Sequence, residues 1–167
     1  IKNNSKIGAY SLITCTSHLS KYGKGLKIGE NSSVGRFTEF GASGGIEIGN
    51  NVTIREYCTI NIGTTSNGKT VIKDNCLIMA YCHIAHDCFV GDNCIFSNNT
   101  TLAGHVTIGS NVVIAGMVAV HQFASVGNHA FVTGGSLVRK DVPPYVKSAR
   151  EPLSYVGINS VGLRRRG

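Results

Sequence analysis

The chain has 167 residues and a mass of 17.7 kDa, with 42% hydrophobic and 15% charged residues, which suits one cored domain or an extended repeat array and excludes a disordered chain. No run of eighteen apolar residues occurs and no charged leader precedes an apolar stretch, which argues against a membrane span and a secretory signal and makes the cytoplasm the expected compartment. The net charge of +7 is unevenly placed: residues 139–167 hold seven cations and two acids, whereas residues 74–138 hold three acids and no Lys or Arg.

From the N-terminus, Ile28, Val34, Phe40 and Ile46 recur every six residues, and Ile48 then opens a new frame two residues later. That slip predicts a loop or junction near 46–52. From Ile48 a step of six meets Ile54, Ile60, Ser66, Ile72, Ile78, Ile84, Val90, Phe96, Leu102, Ile108, Ile114, Val120, Val126, Val132 and Val138. Only Ser66 is polar, and it falls in the polar stretch 63–70, which reads as a loop leaving the frame. Two residues before each position stands a second, smaller phase, including Val52, Cys58, Thr64, Thr70, Cys76, Cys82, Cys88, Cys94 and Thr100, and both phases are expected to point inward.

A period of six fits neither an amphipathic helix nor a long strand, but it fits a short strand and a corner repeated. Gly, Asn and Asp recur between the apolar phases, as in Gly91-Asp92-Asn93 and Gly109-Ser110-Asn111, where corners call for residues tolerant of positive φ. Three sides close a turn of about eighteen residues, and stacked turns pair as parallel strands about 4.8 Å apart. The predicted fold is all-β, a triangular prism. Five of the six cysteines occupy the small phase and read as core fillers. Cys58, Cys76 and Cys94, eighteen apart, are expected to stack as reduced thiols.

None of the histidines falls in an inward phase. With a turn of about eighteen residues, His86, His105 and His121 come to one corner in three consecutive turns, with His83 one short strand before His86. Three readings fit such a corner: hydrogen-bonded surface imidazoles, a catalytic zinc held by three imidazoles, and acyl transfer, in which an imidazole takes a hydroxyl proton and a backbone N–H stabilises the oxyanion. Gly104, immediately before His105, favours the third, and no metal is expected. Asp87 follows His86, but alternation along a strand would send it to the opposite face. At the basic end, Arg164, Arg165 and Arg166 suit a nucleotide diphosphate, an acidic protein or nucleic acid, or form a solvated tail. No aromatic-interleaved basic stripe supports nucleic acid.

The run His83-Ile84-Ala85-His86-Asp87-Cys88, then Leu102-Ala103-Gly104-His105-Val106, then Ala119-Val120-His121-Gln122-Phe123, resembles the bacterial UDP-N-acetylglucosamine O-acyltransferases of lipid A synthesis. The resemblance begins near Ile54-Arg55-Glu56 and continues through Asp141-Val142-Pro143-Pro144-Tyr145 and Gly157-Ile158-Asn159 to Gly162-Leu163-Arg164-Arg165-Arg166-Gly167, about two thirds of the chain. It implies a left-handed parallel β-helix of hexapeptide repeats, although parallel crossovers in general favour the right hand. It also implies a homotrimer with active sites between subunits, and transfer of a 3-hydroxyacyl group from acyl carrier protein to the 3-hydroxyl of UDP-N-acetylglucosamine, without a cofactor. By the same resemblance His86 is the general base and Gly104 the oxyanion donor. His83, His105, His121 and Gln122 position substrate, Asn159, Arg165 and Arg166 hold the nucleotide, and Gly134 stands where side-chain bulk limits acyl length.

The expected division is a β-helix over residues 1–141 and an irregular C-terminal extension over 142–167, without the family's C-terminal helical domain. The family's hexosamine-holding loop before the Ile-Arg-Glu motif also has no room in Gly41-Ala42-Ser43-Gly44-Gly45. The first fifty residues resemble the sugar O-acetyltransferases built from the same repeat, so acetyl coenzyme A is the alternative donor. A catalytically idle scaffold is the alternative outside the enzymes.

Overall fold

A computed structural model of the chain describes residues 1–14, 25–41, 44–64 and 68–166, with residue 166 described in its backbone only. The described residues wind into stacked rungs of short strands that form three parallel faces. The first face runs from Lys6–Ile7 through Ser33–Val34, Thr53–Ile54, Leu77–Ile78, Ile95–Phe96, Val113–Ile114 and Phe131–Val132 to Val146–Ala149. The second runs from Leu12–Thr14 through Glu39–Gly41, Thr59–Ile60, His83–Ile84, Thr101–Leu102 and Ala119–Val120 to Leu137–Val138. The third runs from Leu26–Ile28 through Ile46–Ile48, Thr70–Ile72, Phe89–Val90 and Thr107–Ile108 to Ser125–Val126. No helix among the described residues is long and apolar enough to cross a membrane.

All fifteen apolar positions of the stepped series are buried, with Phe40 and Phe96 the largest side chains of the core. The small phase lies inside as well, except at Thr64. Because each rung touches only its neighbours, the loss of one large core side chain opens a void that nothing distant can fill. Phe96→Ala is expected to cost about 3–5 kcal/mol and to lower the denaturant midpoint without changing the native circular dichroism spectrum. A midpoint equal to the parent's would place Phe96 outside the core.

From the rung of His83 to Val138 the pairing advances by eighteen residues, as in Ile84↔Leu102 and Leu102↔Val120, and the step into the C-terminal extension is sixteen, as in Phe131↔Lys147. Earlier rungs are longer. Ile13 pairs with Phe40, Ile28 with Ile48 and Ile48 with Ile72, steps of 27, 20 and 24 residues. Every added residue lies between a strand of the second face and the next strand of the third: nine between Ile13 and Ile28, two between Phe40 and Ile48, six between Ile60 and Ile72. The two-residue slip at Ile46 to Ile48 is thus taken up by a longer corner after Phe40. Ala42, Ser43 and Ser66 lie outside the described residues. The six-residue insertion changes the cysteine stacking expected from spacing. Cys58 stacks on Cys82 and Cys76 on Cys94, and all four are free thiols.

Two rules govern the corners, and one of them is the expected one. Gly91 and its neighbour above, Gly109, have ordinary φ. A Cβ on Gly91 would lie 2.7 Å from the Gly109 carbonyl carbon and 2.8 Å from the Ser110 nitrogen, so close approach of rungs, not positive φ, demands glycine there. Positive φ falls on the second corner residue, as expected at Asn93 (58°) and Asn111 (62°), and also where that residue is Tyr57, Tyr81, Asp87, His105 or Phe123. Stacking offsets part of that strain: Tyr10, Phe37, Tyr57 and Tyr81 form a ladder along the edge between the first and second faces, with centroids 5.1 Å apart and planes within 9°.

The C-terminal extension is ordered rather than irregular. Val146–Ala149 pairs in parallel with Phe131–Val132, Ser154–Ile158 returns antiparallel to it, and the helix Ser160–Arg166 follows. Asn159 caps that helix: its Oδ1 accepts from the Gly162 N–H at 3.2 Å, and its Nδ2 donates to the His129 carbonyl at 2.9 Å.

Candidate active site

The edge between the second and third faces carries the histidines. His86 and Asp87 form the corner after His83–Ile84, Gly104 and His105 form the corner one rung on, and Gln122 and Phe123 form the next, with His121 just before them. Parallel pairing keeps them in line: the His105 N–H donates to the His86 carbonyl at 3.0 Å and the Phe123 N–H to the Gly104 carbonyl at 3.1 Å. The His86 and His105 rings meet edge to face with centroids 5.0 Å apart, and His105 stacks on Phe123 at 4.9 Å.

Asp87 does not point away from His86. As the second corner residue it has φ 59°, which leaves the alternation of a strand and turns its carboxylate back to the imidazole. His86 Nδ1 lies 2.9 Å from Asp87 Oδ2, and with the carboxylate ionised that nitrogen carries the proton, leaving Nε2 bare. The Asp87 side chain is 0% exposed. Burial pushes its carboxyl up, but the Thr64 hydroxyl at 2.5 Å, His86, the Thr64 N–H at 2.8 Å and nearby His105 together hold it below the ordinary carboxylate range. The Thr70 hydroxyl accepts the Asp87 N–H at 2.9 Å.

The far side of the His86 ring faces Gly104. A Cβ built on Gly104 would lie 2.5 Å from both Cε1 and Nε2 of His86. Glycine therefore keeps its backbone against the bare nitrogen. On the edge between the third and first faces, the N–H of the first corner residue is capped from the next rung at Glu30, Asn50, Asp74, Asp92 and Ser110, as Asp74 N–H is by Asp92 Oδ1 at 3.0 Å and Asp92 N–H by Ser110 Oγ at 3.1 Å. Gly104, the first residue of its corner, is buried, and among the described residues its N–H has no such acceptor. A base nitrogen beside an unclaimed backbone donor is the arrangement that proton abstraction with oxyanion stabilisation requires.

The remaining expected residues divide into two groups. His83 Nδ1 sits 2.6 Å from Thr59 Oγ1, and burial pushes its imidazole below the ordinary range, so it stands neutral beside His86. His121 is exposed at the same edge with Nδ1 3.0 Å from the Gln122 carbonyl, and Gln122 is half-buried beside it. Gly134 lies at the other edge of the second face, where a Cβ would sit 3.1 Å from the Gly116 carbonyl oxygen. Asn159 and Arg165, however, line a pocket with Ile95, Val113 and Phe131 on the first face, across the prism from the histidine edge. The side chain of Arg166 lies outside the described residues.

His86, Asp87 and His105 have donor atoms within 4.8 Å of one another, a spacing an ion can bridge, but the closest pair, His86 Nδ1 and Asp87 Oδ2, is spent on mutual hydrogen bonding. The sequence alone assigns no part in the site to Thr59, Thr64, Thr70 or Phe123, although Thr64 and Thr70 belong to its small inward phase and Phe123 to the resembling run. Their contacts depend on the six-residue insertion and on corner stacking, which the period alone does not reveal.

Known proteins match both the repeat and the C-terminal segment. Residues 69–104 match the family model "Bacterial transferase hexapeptide (six repeats)", and residues 141–167 match "Udp N-acetylglucosamine O-acyltransferase; Domain 2". The acyl-[acyl-carrier-protein]–UDP-N-acetylglucosamine O-acyltransferase of Thiobacillus denitrificans is 41% identical over 123 residues, 73% of this chain and 48% of that protein. Thus the chain spans about half of that relative's length. The solved UDP-N-acetylglucosamine acyltransferase from Campylobacter jejuni is similar with 36% identity and a TM-score of 0.82, covering 99% of this chain and 72% of that one. The Bacteroides fragilis UDP-N-acetylglucosamine acyltransferase is similar with 37% identity and a TM-score of 0.85, covering 99% and 65%. Like those structures, this chain is a left-handed parallel β-helix.

Proposed function

The chain belongs to the family of UDP-N-acetylglucosamine O-acyltransferases, and we propose that it moves a 3-hydroxyacyl group from acyl carrier protein to the 3-hydroxyl of UDP-N-acetylglucosamine in the cytoplasm. The observation that carries this reading is the pairing of bare His86 Nε2 with the Gly104 backbone, buttressed by buried Asp87. His86 Nε2 takes the proton of the sugar hydroxyl as its oxygen attacks the thioester carbonyl. The Gly104 N–H receives the negative charge that builds on the carbonyl oxygen. Collapse of the tetrahedral intermediate breaks the carbon–sulfur bond, and the imidazolium returns its proton to the departing thiolate. Protein side chains carry every proton, so no cofactor enters. His83, His105, His121 and Gln122 line the approach to this edge and position the substrate.

The nucleotide is held from a neighbouring subunit. Asn159 and Arg165 cannot reach the histidine edge of their own chain, because the prism stands between them. A homotrimer that sets the first face of one copy beside the histidine edge of the next unites the two groups and supplies the second wall that the half-exposed His86 lacks. The basic C-terminal segment, Arg165 and Arg166 included, suits both the diphosphate and an acidic carrier protein.

Mixing variants tests the reaction and the shared site together. His86→Ala and Arg165→Ala are each expected to be nearly inactive with acyl carrier protein and UDP-N-acetylglucosamine. After co-refolding in equal amounts, random assembly restores about a quarter of the sites. No recovery would place both residues in one subunit's site, and turnover by the parent with acetyl coenzyme A alone would overturn the donor.

A further inference from the structure

The six residues added between Ile60 and Ile72 do more than leave the frame. They bring Thr64 over the histidine edge, where its backbone N–H donates to Asp87 Oδ1 at 2.8 Å and its hydroxyl donates to Asp87 Oδ2 at 2.5 Å. The same Oδ2 receives His86 Nδ1 at 2.9 Å. One residue of the loop therefore grips both oxygens of a carboxylate that is wholly buried and in contact with the imidazole. The return of the loop contributes too, since the Thr70 hydroxyl holds the Asp87 N–H and with it the corner's left-handed turn.

We propose that Thr64 is a positioning residue for acyl transfer: by clamping Asp87 it fixes the plane of the carboxylate, and so fixes His86 with its proton on Nδ1 and its bare Nε2 against Gly104. The proposal rests on the acyltransferase reading of this edge. Its physical basis is that a buried carboxylate has two oxygens but His86 engages only one. An unanchored carboxylate can rotate to offer Oδ2 at another angle, and the ring that follows it leaves the narrow gap beside Gly104. Among the described residues the ionisable groups around Asp87 include His86 at the same corner, His105 on the next rung with Nε2 3.8 Å from Oδ2, and the Cys88 thiol that follows in the chain. None of these supplies the second anchor. The Thr64 hydroxyl and amide do, and charge-assisted bonds of this kind are among the stronger ones available.

Thr64→Val keeps the shape of the side chain and the amide bond but removes the hydroxyl. Its kcat is expected to fall about 10–100-fold with KM within a factor of two, as for a lost hydrogen bond to a charged group that matters only for the reacting ring. Thr64→Ser, which keeps the donor, is expected to retain most of the parent's kcat. Nitrogen-15 NMR of the full chain gives a readout that does not need turnover: the parent's His86 ring shows one tautomer with the proton on Nδ1, and Thr64→Val shows a mixture. A Val variant with the parent's kcat and a single tautomer would overturn the proposal, as would a Ser variant as impaired as Val. A parent without acyl transfer but with the tautomer change on Thr64→Val would instead overturn the assigned reaction and leave the clamp standing.

Discussion

His86→Ala is expected to lower kcat by about 10³-fold while leaving the thermal midpoint nearly unchanged. The loss corresponds to about 4 kcal/mol of transition-state stabilisation. The side chain sits at a corner, 36% exposed and outside the core, so its removal opens no cavity in the stack of inward residues. What it removes is the nitrogen that accepts the hydroxyl proton. Its neighbours cannot replace it: His105 is turned nearly perpendicular and stacked on Phe123, and His83 bonds the Thr59 hydroxyl through its Nδ1. Steady-state kinetics with circular dichroism melting checks this. A variant that keeps more than a tenth of the parent's kcat would move the base elsewhere.

Gly104→Ala is expected to be the second most damaging change, with kcat lower by about 10²-fold. Gly104 has an ordinary φ, so alanine meets no backbone penalty, and the effect comes wholly from where its methyl goes. At 2.5 Å from Cε1 and Nε2 of His86 that methyl occupies the space of the imidazole edge. Either the ring swings off Asp87 or the rung shifts, and a displacement of about 1 Å at a reacting group costs on the order of 10²-fold. Overpacking at such a site costs about 1–3 kcal/mol of stability, so a folded variant remains available for assay. Kinetics together with the His86 nitrogen-15 spectrum checks the prediction. Parent-like turnover would show that the base does not need its place beside residue 104.

The prism was legible because period and burial have one cause: the apolar residues at every sixth position from Ile48 meet the axis of a three-sided rung, and each of them is buried. The shared edge of His86, His105 and His121 was legible for the same reason, since it lies where rungs have constant length. Asp87 was misjudged because a strand rule was applied to a corner residue, whose positive φ reverses the side chain. Cys76 stacks on Cys94 as the spacing implied, but Cys58 was misjudged because six inserted residues move it from beneath Cys76 to beneath Cys82. The opposite placement of Asn159 and Arg165 is invisible to a linear motif, which records order along the chain and says nothing of which face a segment returns to.

Every lengthening of a rung is confined to the edge that carries the histidines, with nine, two and six residues added there in the rungs before His86. Chain can therefore enter or leave the molecule at that edge without changing the register of any other strand. Insertion or deletion there alters the rim around the reacting groups while the packing of the interior stays as it is. Diversity of accepted substrates and conservation of architecture then become separable traits, inherited through different parts of the same winding.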